Sequence, residues 1–312
     1  MMSGSLQWLQ IPEDYFREEE REGFLIPEKM KRAWAAKLQL LSWMGEIFRV
    51  YGLRWWADWG TMLGAARHRG FIPWDDDIDI SMPREDFERA IPLLERELPA
   101  HCEVFRYDDV NVTPCVYVMN RRNTDLGIDE EERRLTESFF DCPYRCGVDI
   151  FPLDHMPDDA AEREDWHYLG EAVYCVAMEY ENQQRSGILE EQLQIIEEIT
   201  RQRLPRDRSC RKTLLRLFDI ISQMYTAEDG DDLAVFAVWL LNGNRRRSAW
   251  YGQTVWLPFE MIRIPMPAGY RQILKNTFGN WCVPLKGATA HDYPFYQEDE
   301  KRIAEYRRSK GI

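Results

Sequence analysis

The feature that most constrains this chain is a run of four carboxylates within residues 71–80, Phe-Ile-Pro-Trp-Asp-Asp-Asp-Ile-Asp-Ile. Because the side chains of a β-strand alternate between its two faces, a strand here would place Asp77 and Asp79 on one face and the isoleucines in the core. Two carboxylates held side by side repel each other unless a cation lies between them. Mg²⁺ is commonly held by one or two carboxylates together with substrate phosphates. The pattern therefore predicts a metal site for phosphate chemistry, and the alternative is an acidic surface loop that leads into an ordinary strand.

A Gly-Thr pair and a basic cluster precede the acidic run. Gly60 permits the close approach of a backbone, and a helix beginning at Thr61 would present N–H donors to a phosphate. The basic cluster would bind phosphate oxygens from the far end of that helix, since arginine stays charged and binds phosphate with two N–H groups. Its members are Arg67, His68 and Arg69. The alternatives are a purely structural turn and a solvated basic turn.

Composition restricts the class of protein. The chain has 312 residues, 45% hydrophobic and 30% charged, which is typical of a soluble globular protein with a sizeable core. The formal net charge of −14 argues against a nucleic-acid partner, which would require a basic face. We find no run of about 18 apolar residues and no N-terminal signal pattern. We therefore expect a cytoplasmic protein without a transmembrane segment, and a position at the inner face of the membrane stays open.

The seven cysteines are scattered and odd in number, which suits a reducing compartment. Cys142 and Cys146 are the closest pair in the sequence. Without a second pair their spacing is weak evidence for zinc, and buried free thiols are the expected state.

Strand and helix patterns alternate up to about residue 155, which predicts an α/β (α+β) core. Apolar residues at helical spacing between Pro27 and Gly52 predict a core helix. A turn at residues 60–61 and a helix over 62–67 follow, and then the acidic strand, which ends at Pro83. A strand over 147–152 places Asp149 on the face opposite its apolar neighbours.

Residues 158–241 are mostly helical in pattern, and a further helix is expected near residues 270–278. The chain is thus divided into an N-terminal extension (1–26), a core (27–157), a helical insertion or subdomain (158–244) and a C-terminal region (245–312).

Residues 60–79, Gly-Thr-Met-Leu-Gly-Ala-Ala-Arg-His-Arg-Gly-Phe-Ile-Pro-Trp-Asp-Asp-Asp-Ile-Asp, resemble the signature of the LicD family. These are phosphotransferases with a nucleotidyltransferase (polymerase-beta-like) fold, related to the fukutin proteins. Residues 147–154, Gly-Val-Asp-Ile-Phe-Pro-Leu-Asp, resemble the family's second block. Tyr-Gly at 251–252 and Leu-Pro-Phe-Glu at 257–260 resemble a third element. Trp59 departs from the pattern, which often has a small residue there, and this puts the shape of the pocket in doubt rather than the metal site.

The resemblance implies a mixed-sheet nucleotidyltransferase core with a helical insertion, and a C-terminal region that completes the acceptor side of the cleft. It implies that Asp77 and Asp79 bind Mg²⁺, with Mn²⁺ as the alternative ion. Asp149 is then the third carboxylate, either as general base toward an acceptor hydroxyl or as a further metal ligand. Asp75 shares the strand face of Asp77 and is an additional candidate ligand, whereas Asp76 faces away and is expected to be structural.

Bacterial members of that family typically move phosphocholine from CDP-choline onto teichoic acids or other surface glycans. We therefore expect Mg²⁺-dependent transfer of a phosphoalcohol, most simply phosphocholine, from a CDP-alcohol donor to a hydroxyl of a cell-surface glycan or teichoic acid precursor, with release of CMP. A metal on the donor pyrophosphate would neutralise charge on the leaving CMP.

Aromatic residues suggest how a choline head would be recognised. The chain has 12 tryptophans, and Trp59 and Trp74 flank the proposed site in sequence, with Trp55 and Trp56 close by. Aromatic faces bind quaternary ammonium groups by cation–π attraction. The alternative is that these rings pack the core. His291 is a weaker candidate for the cleft.

Other functions remain open from the sequence. A nucleotidyltransferase that moves NMP from an NTP to a small molecule or protein would use the same metal pair. A glycosyltransferase would also use Asp-x-Asp, but the helix and Gly-Thr pair before the acidic strand argue against it. A non-catalytic glycan-binding relative is the alternative from another class. The sequence names neither the donor alcohol nor the acceptor, and it leaves the oligomeric state open.

Overall fold

A computed structural model describes residues 6–106, 115–285 and 293–311. The prediction for His291 and the ends of the chain at residues 1–5 and 312 lie outside these ranges. In the described residues the strands are β1 (Glu19–Arg21), β2 (Phe24–Ile26), β3 (Trp56–Ala57), β4 (Asp79–Pro83), β5 (Glu103–Phe105), β6 (Val116–Met119), β7 (Gly147–Met156), β8 (Asp232–Ala234), β9 (Arg246–Arg247), β10 (Thr254–Phe259) and β11 (Ile262–Pro267). The helices are α1 (Glu28–Tyr51), α2 (Trp59–Arg67), α3 (Arg84–Glu97), α4 (Glu130–Ser138), α5 (Ala160–Met178), α6 (Tyr180–Ser186), α7 (Leu189–Thr200), α8 (Cys210–Ser222), α9 (Phe236–Asn242), α10 (Tyr270–Phe278) and α11 (Gln297–Lys310).

The chain forms two compact units. Of the described residues, unit 1 contains 6–104, 117–150, 254–285 and 293–311. Unit 2 contains 105–106, 115–116 and 151–253, with helices α5 to α9. The boundaries expected from sequence at residues 26, 157 and 244 stay predictions.

Unit 1 is built on a curled mixed sheet in which the strands run in the order β3-β4-β7-β6. Strand β3 lies antiparallel to β4, with Trp56 opposite Ser81 and Ala57 opposite Ile80. Strands β10 and β11 form a separate antiparallel hairpin. The α/β class expected from the alternating patterns is confirmed at this level, a mixed α/β protein.

Helix α1 is the core helix predicted between Pro27 and Gly52. Pro27 occupies the N-cap position, where its missing N–H costs nothing, and Gly52 closes the helix in the left-handed conformation at φ 66°. Fifteen of its residues are buried, including Trp34, Leu38 and Phe48. The helix therefore forms one wall of the unit 1 core.

Two predictions near the acidic run were wrong in detail. Residues 60–61 do not form a turn before a helix; they lie in the first turn of α2, because Asp58 caps that helix by accepting a hydrogen bond from the Trp59 N–H at 2.8 Å. The acidic strand begins at Asp79 rather than Asp77. Asp77 lies in the extended segment just before the strand.

Unit 2 is mainly helical and has its own core. Trp166 stacks on Phe236 with ring centroids 4.1 Å apart and donates its indole N–H to the Ile221 carbonyl at 2.7 Å. Gly170 of α5 lies so close to Phe236 that a Cβ there would overlap the ring. Strand β7 enters this unit after Ile150 and pairs antiparallel with β8, with Asp154 opposite Ala234.

No helix in residues 6–106, 115–285 and 293–311 is both long and apolar enough to cross a membrane.

Candidate active site

A cavity of about 370 Å³ in unit 1 has an acidic end and an apolar end. Asp75, Asp77 and Asp79 form the acidic end. The full described lining is Trp59, Gly60, Leu63, Arg67, Ile72, Trp74, Asp75, Asp77, Asp79, Phe278, Asn280, Trp281, Val283 and Leu285. Cavities of this size that combine an apolar wall with a few convergent polar groups are typical ligand sites.

Backbone hydrogen bonds fix the acidic segment between helix α2 and strand β7. The Asp58 N–H donates to the Asp79 carbonyl at 3.0 Å, and the Asp79 N–H donates to Thr61 Oγ1 at 2.9 Å. On the other side, the Asp149 N–H donates to the Ile78 carbonyl at 2.9 Å. Asp79 and Asp149 are therefore brought side by side from positions 70 residues apart in the sequence.

Gly60 lies directly beneath two of the carboxylates. A Cβ at position 60 would overlap Asp75 Oδ2 and would lie 3.7 Å from Asp77 Oδ1. Glycine is therefore required by the close approach of the carboxylates to the first turn of α2. The partial positive charge at this helix N-terminus stabilises nearby anions. Trp59 next to it has φ 32°, a strained value for a residue with a side chain.

The electrostatics of the acidic end centre on Asp79. Burial raises the pKa of Asp79 well above its ordinary value, and the charges of Asp77, Asp149, Asp75 and Asp58 raise it further. Both causes disfavour the ionised form, so a cation that binds this carboxylate cluster would relieve both.

The cluster fits a divalent cation of the Mg²⁺ type. Carboxylate oxygens are the ligands that Mg²⁺ prefers, and one or two of them usually suffice because substrate phosphates and water complete the shell. Among the described residues, no group of three or more His, Cys, Asp or Glu side chains is arranged to hold a metal ion by itself, so substrate phosphates and water would have to complete the shell. Cys142 and Cys146, whose sulfurs lie 3.6 Å apart, are buried free thiols.

Asp76 has a different role from its neighbours. It is fully buried, and its Oδ2 accepts the Phe295 N–H at 2.8 Å. The backbone carbonyl of Asp76 accepts a hydrogen bond from the ammonium group of Lys37, whose side chain is also buried. Asp76 thus fixes the acidic segment to helix α1 and to the C-terminal part of the chain, as a side chain facing away from the site would.

The apolar end of the cavity brings together two sequence-predicted tryptophans, Trp59 and Trp74. Trp55 and Trp56 lie elsewhere: Trp55 lines a different cavity, and the Trp56 indole N–H donates to Thr254 Oγ1 at 2.9 Å. Arg67 also lines the site, and its Nη1 donates to the Trp281 carbonyl at 3.0 Å. Burial lowers the pKa of Arg67, partly countered by Glu22.

Three predicted substrate-binding residues are not part of this cavity. The Thr61 hydroxyl is buried and accepts the Asp79 N–H, so it positions the acidic strand. His68 and Arg69 line a second cavity of about 590 Å³. His68 Nε2 lies 3.4 Å from Glu22 Oε1, and burial, followed by the charge of Arg67, lowers the pKa of His68. Their phosphate-binding role stays a prediction without support from this placement.

Glu260 is a positioning residue, which the sequence indicated only as the last residue of the third family element and without a role. Its carboxylate accepts two hydrogen bonds from Arg21, at 2.6 and 3.1 Å, and one from the Phe71 N–H at 3.1 Å. The Glu260 N–H in turn donates to the Arg69 carbonyl at 2.8 Å. A Cβ at Gly70 would overlap the Glu260 carboxylate, which explains the glycine there. The tip of the β10–β11 hairpin thereby fixes the turn that precedes the acidic run.

The second group that sequence reasoning missed is the set of cavity residues between 278 and 285. The segment carries no motif, so the sequence offered no signal for it, and only the structure shows that several of its large apolar side chains are exposed. Phe278, Val283 and Leu285 are 41%, 55% and 72% exposed.

Fold and site together define a mixed α/β protein with a carboxylate cluster at one end of an apolar cavity. Residues 52–115, which contain that cluster, match the family described as "LicD/FKTN/FKRP, nucleotidyltransferase domain". The resemblance drawn from residues 60–79 is thus confirmed at the level of this domain, which is similar to the LicD family.

Several curated relatives are similar in sequence to part of this chain. It is 34% identical over 73 residues to "Lipopolysaccharide cholinephosphotransferase LicD" of Haemophilus influenzae, covering 23% of this chain and 28% of the relative. It is 45% identical over 40 residues to "Ribitol 5-phosphate transferase FKRP" of Homo sapiens, covering 13% and 8%. An uncharacterized protein of Rickettsia typhi is 40% identical over 61 residues, covering 19% and 20%. The chain thus spans under a third of the length of each of these relatives.

Proposed function

We propose that this chain is a phosphotransferase that moves a phosphoalcohol, phosphocholine above all, from a CDP-alcohol donor to a hydroxyl of a cell-surface glycan or teichoic acid precursor and releases CMP. The observation that carries the proposal is the gathering of Asp75, Asp77 and Asp79 at one end of an apolar cavity, within the family-matched segment. Two relatives named as transferases of cholinephosphate and ribitol 5-phosphate support it. We further propose a nucleotidyltransferase fold for the core and a cytoplasmic location.

We assign Asp77 and Asp79 as the residues that would hold Mg²⁺, with Mn²⁺ as the alternative ion and Asp75 as a further ligand. When bound, the cation would supply neutralisation of charge on the donor pyrophosphate and on the departing CMP. Gly60 supports the reaction by leaving room for the carboxylates at the start of α2. Arg67 is the lining cation that would bind a donor phosphate oxygen.

The reaction exchanges one P–O bond for another. The acceptor hydroxyl oxygen bonds to the phosphorus that carries the alcohol, and the bond from that phosphorus to the bridging oxygen breaks, so CMP leaves with the bridging oxygen and its electron pair. The hydroxyl proton must pass to a base. We assign this role to Asp149, which is half-buried and whose charge reaches Asp79.

The two roles open to Asp149 differ in what its replacement changes. If Asp149 accepts the proton, Asp149→Asn lowers kcat and leaves the Mg²⁺ concentration for half-maximal rate unchanged. If Asp149 is a metal ligand instead, that concentration rises, and the assignment as base is wrong.

The experiment for the proposed function is a donor screen. The chain is incubated with Mg²⁺, candidate glycan acceptors and CDP-choline or CDP-ribitol, and CMP is measured by chromatography. We expect acceptor-dependent CMP release that Asp77→Asn abolishes and that Asp165→Asn, an exposed acid on α5, leaves intact. Pyrophosphate release from NTPs without CMP release would support NMP transfer instead. Absence of Mg²⁺-dependent nucleotide binding in calorimetry would support a non-catalytic protein.

A further inference from the structure

We infer that the C-terminal wall of the cavity, formed by Phe278, Asn280, Trp281, Val283 and Leu285, selects the head group of the donor. It favours a head with apolar and cationic surface and disfavours a polyhydroxylated one. The inference rests on the proposed function, because it concerns the same cavity and a CDP-alcohol donor. It adds named specificity-determining residues to that proposal.

The two walls of the cavity come from different parts of the chain. The acidic end and the Trp59 and Trp74 side chains belong to the family-matched segment, residues 52–115. The C-terminal wall lies outside that segment. The matched relatives include proteins named for cholinephosphate and for ribitol 5-phosphate, so the similarity they share does not fix the head group. The part of the cavity outside the match is therefore the place to look for head-group selection.

The chemistry of the C-terminal wall favours one kind of head. Four of its five side chains are apolar or aromatic, and Asn280 is the polar one. The other apolar side chains of the lining are Trp59, Leu63, Ile72 and Trp74. A sugar-alcohol hydroxyl buried without a hydrogen-bond partner costs about 1–3 kcal/mol. The methyl groups of a quaternary ammonium head make no such demand and gain cation–π attraction from indole rings.

The charges of the lining do not select the head group by themselves. The cavity has three lining carboxylates and, among its described lining residues, one cationic side chain, Arg67. Arg67 is held by the Trp281 carbonyl at 3.0 Å. A divalent cation at the carboxylates would bring the three negative charges into balance with Arg67 and the cation, so head-group selection depends on the side chains of the C-terminal wall rather than on net charge.

A hydrogen bond also fixes the position of the C-terminal wall. The hydrogen bond from Arg67 to Trp281 joins it to helix α2, the helix whose first turn contains Gly60. The same helix thus positions the carboxylates and the wall. We therefore expect side-chain substitutions that keep the Arg67–Trp281 hydrogen bond to change the chemistry that a head group meets, and CMP binding measures whether the acidic end is altered.

The experiment measures donor binding by calorimetry with Mg²⁺ and without acceptor, so that no turnover occurs. Three ligands are compared: CMP, which has no head, CDP-choline and CDP-ribitol. The variant is Val283→Thr with Leu285→Asn, at positions exposed enough to tolerate substitution. The control is Val255→Thr, a partly exposed valine on β10 outside the cavity lining.

We expect the unmodified chain to bind CDP-choline at least about tenfold more tightly than CDP-ribitol, a discrimination of the size that apolar pockets achieve. The double variant should bring this ratio close to one and leave CMP binding unchanged. The Val255→Thr control should keep the ratio of the unmodified chain.

A native thiol reports contact with the wall independently. Cys282 is exposed and stands between Trp281 and Val283, and Cys175 of unit 2 is exposed as well. We expect CDP-choline to slow alkylation of Cys282, followed by peptide mass spectrometry, and to leave alkylation of Cys175 unchanged.

The outcomes separate the inference from the proposed function. If neither CMP nor either donor binds, the proposed function fails and the inference fails with it. If all three bind but the double variant leaves the ratio unchanged, or Cys282 is not protected, the proposed function stands and the inference is overturned. Tighter binding of CDP-ribitol than CDP-choline by the unmodified chain would also overturn it.

Discussion

The four adjacent acids of the acidic run have different environments, although they share one side-chain chemistry. Asp79 is buried among other carboxylates, and its pKa is raised by burial and by their charges. Asp75 and Asp77 are half-buried and meet above Gly60. Asp76 is buried on the other side and accepts a backbone N–H. Each side chain therefore makes a distinct testable contribution.

Removing one carboxylate from the cluster should abolish activity without harming the fold. We expect Asp77→Asn and Asp79→Asn each to lower the rate of CMP release by at least about 100-fold, the usual effect of losing a group that stabilises transition-state charge. The free energy of unfolding in urea without divalent cations should not fall, because repulsion between carboxylates is relieved. Unchanged CMP release in both variants would contradict their role.

Glu19 provides a prediction for acid stability. A hydrogen bond from Arg21, supported by Lys31, lowers the pKa of Glu19 from 4.5 to about 2. Because the folded-state pKa is the lower one, the stabilisation is present above pH 4.5 and is lost as the pH falls toward 2. Its side chain is 41% exposed, so solvent screening reduces the contribution to about 1 kcal/mol.

We therefore expect Glu19→Gln to lower the free energy of unfolding by about 1 kcal/mol at pH 7 and to have no effect near pH 2. Urea unfolding at a series of pH values measures this. Glu20→Gln, an exposed neighbour on β1, is the matched control. An effect of Glu19→Gln that does not change with pH would contradict the interpretation.

At the scale of elements, the site depends on how a helix start, a strand start and a hairpin tip meet. Helix α2 brings Gly60 beneath the carboxylates, strand β4 begins at Asp79, and the β10–β11 hairpin places Glu260 under the turn at Gly70. None of these three elements is a site alone. The geometry of the site arises from hydrogen bonds and close contacts between these elements. Each contact between two elements can be tested separately by a substitution.

Gly60→Ala tests the close contact between helix α2 and the acidic run. The added methyl group would overlap Asp75 Oδ2, so Asp75 and Asp77 must shift. Alanine itself is favourable within a helix. We expect CMP release to fall by at least about tenfold while the far-UV circular dichroism stays unchanged. Gly252→Ala, where a Cβ would lie 3.5 Å from the Ala249 carbonyl at a negative φ, should leave both unchanged.

Glu260→Gln tests the contact between the β10–β11 hairpin and the turn at Gly70. The Glu260 side chain is 5% exposed, and its replacement leaves Arg21 with Glu19 as a remaining carboxylate partner. We expect the free energy of unfolding to fall by about 2 kcal/mol, the size of losing a buried hydrogen bond between charged groups. Glu298→Gln breaks an exposed pair with Lys301 and should cost under about 1 kcal/mol. Equal effects of the two substitutions, measured by urea unfolding, would show that Glu260 does not act as a buried anchor.

At the scale of the whole molecule, the chain divides into two units with separate cores, and the proposed site lies in unit 1. A ligand that binds only the folded state stabilises the structure that holds it. A cation bound at the acidic cluster should therefore stabilise unit 1, while the helical core of unit 2 has no direct share in the binding.

Mg²⁺ at 100 times its dissociation constant should raise the stability of the folded chain by about 2.7 kcal/mol. We expect hydrogen exchange to show the added protection in α2 and β4 rather than in the unit 2 helices α5 and α8. Asp77→Asn should remove the effect, and sodium chloride at equal ionic strength serves as the control. Equal protection in both units would indicate non-specific neutralisation of the net charge of −14.

An element could be predicted from the sequence when the residues that determine its limits lie within the element itself. The limits of α1 followed from Pro27 and Gly52, and the helix near residues 270–278 was placed correctly, because spacing and end residues lie within each segment. The start of α2 was misplaced, since the cap on Asp58 was not recognised. The first residue of β4 was misplaced because strand ends depend on pairing with β3.

The sequence by itself separated Asp75, Asp77 and Asp79, which line one cavity, from Asp76, because alternation of side chains along an extended segment depends only on neighbouring residues. It also carried the resemblance to the LicD family, since residues 60–79 are contiguous. Only the tertiary structure decided that His68 and Arg69 lie at another cavity, that Glu260 supports Gly70, and that Trp281 closes the site over 200 residues from Trp59. Such contacts depend on packing between distant segments, whose meeting no local pattern encodes.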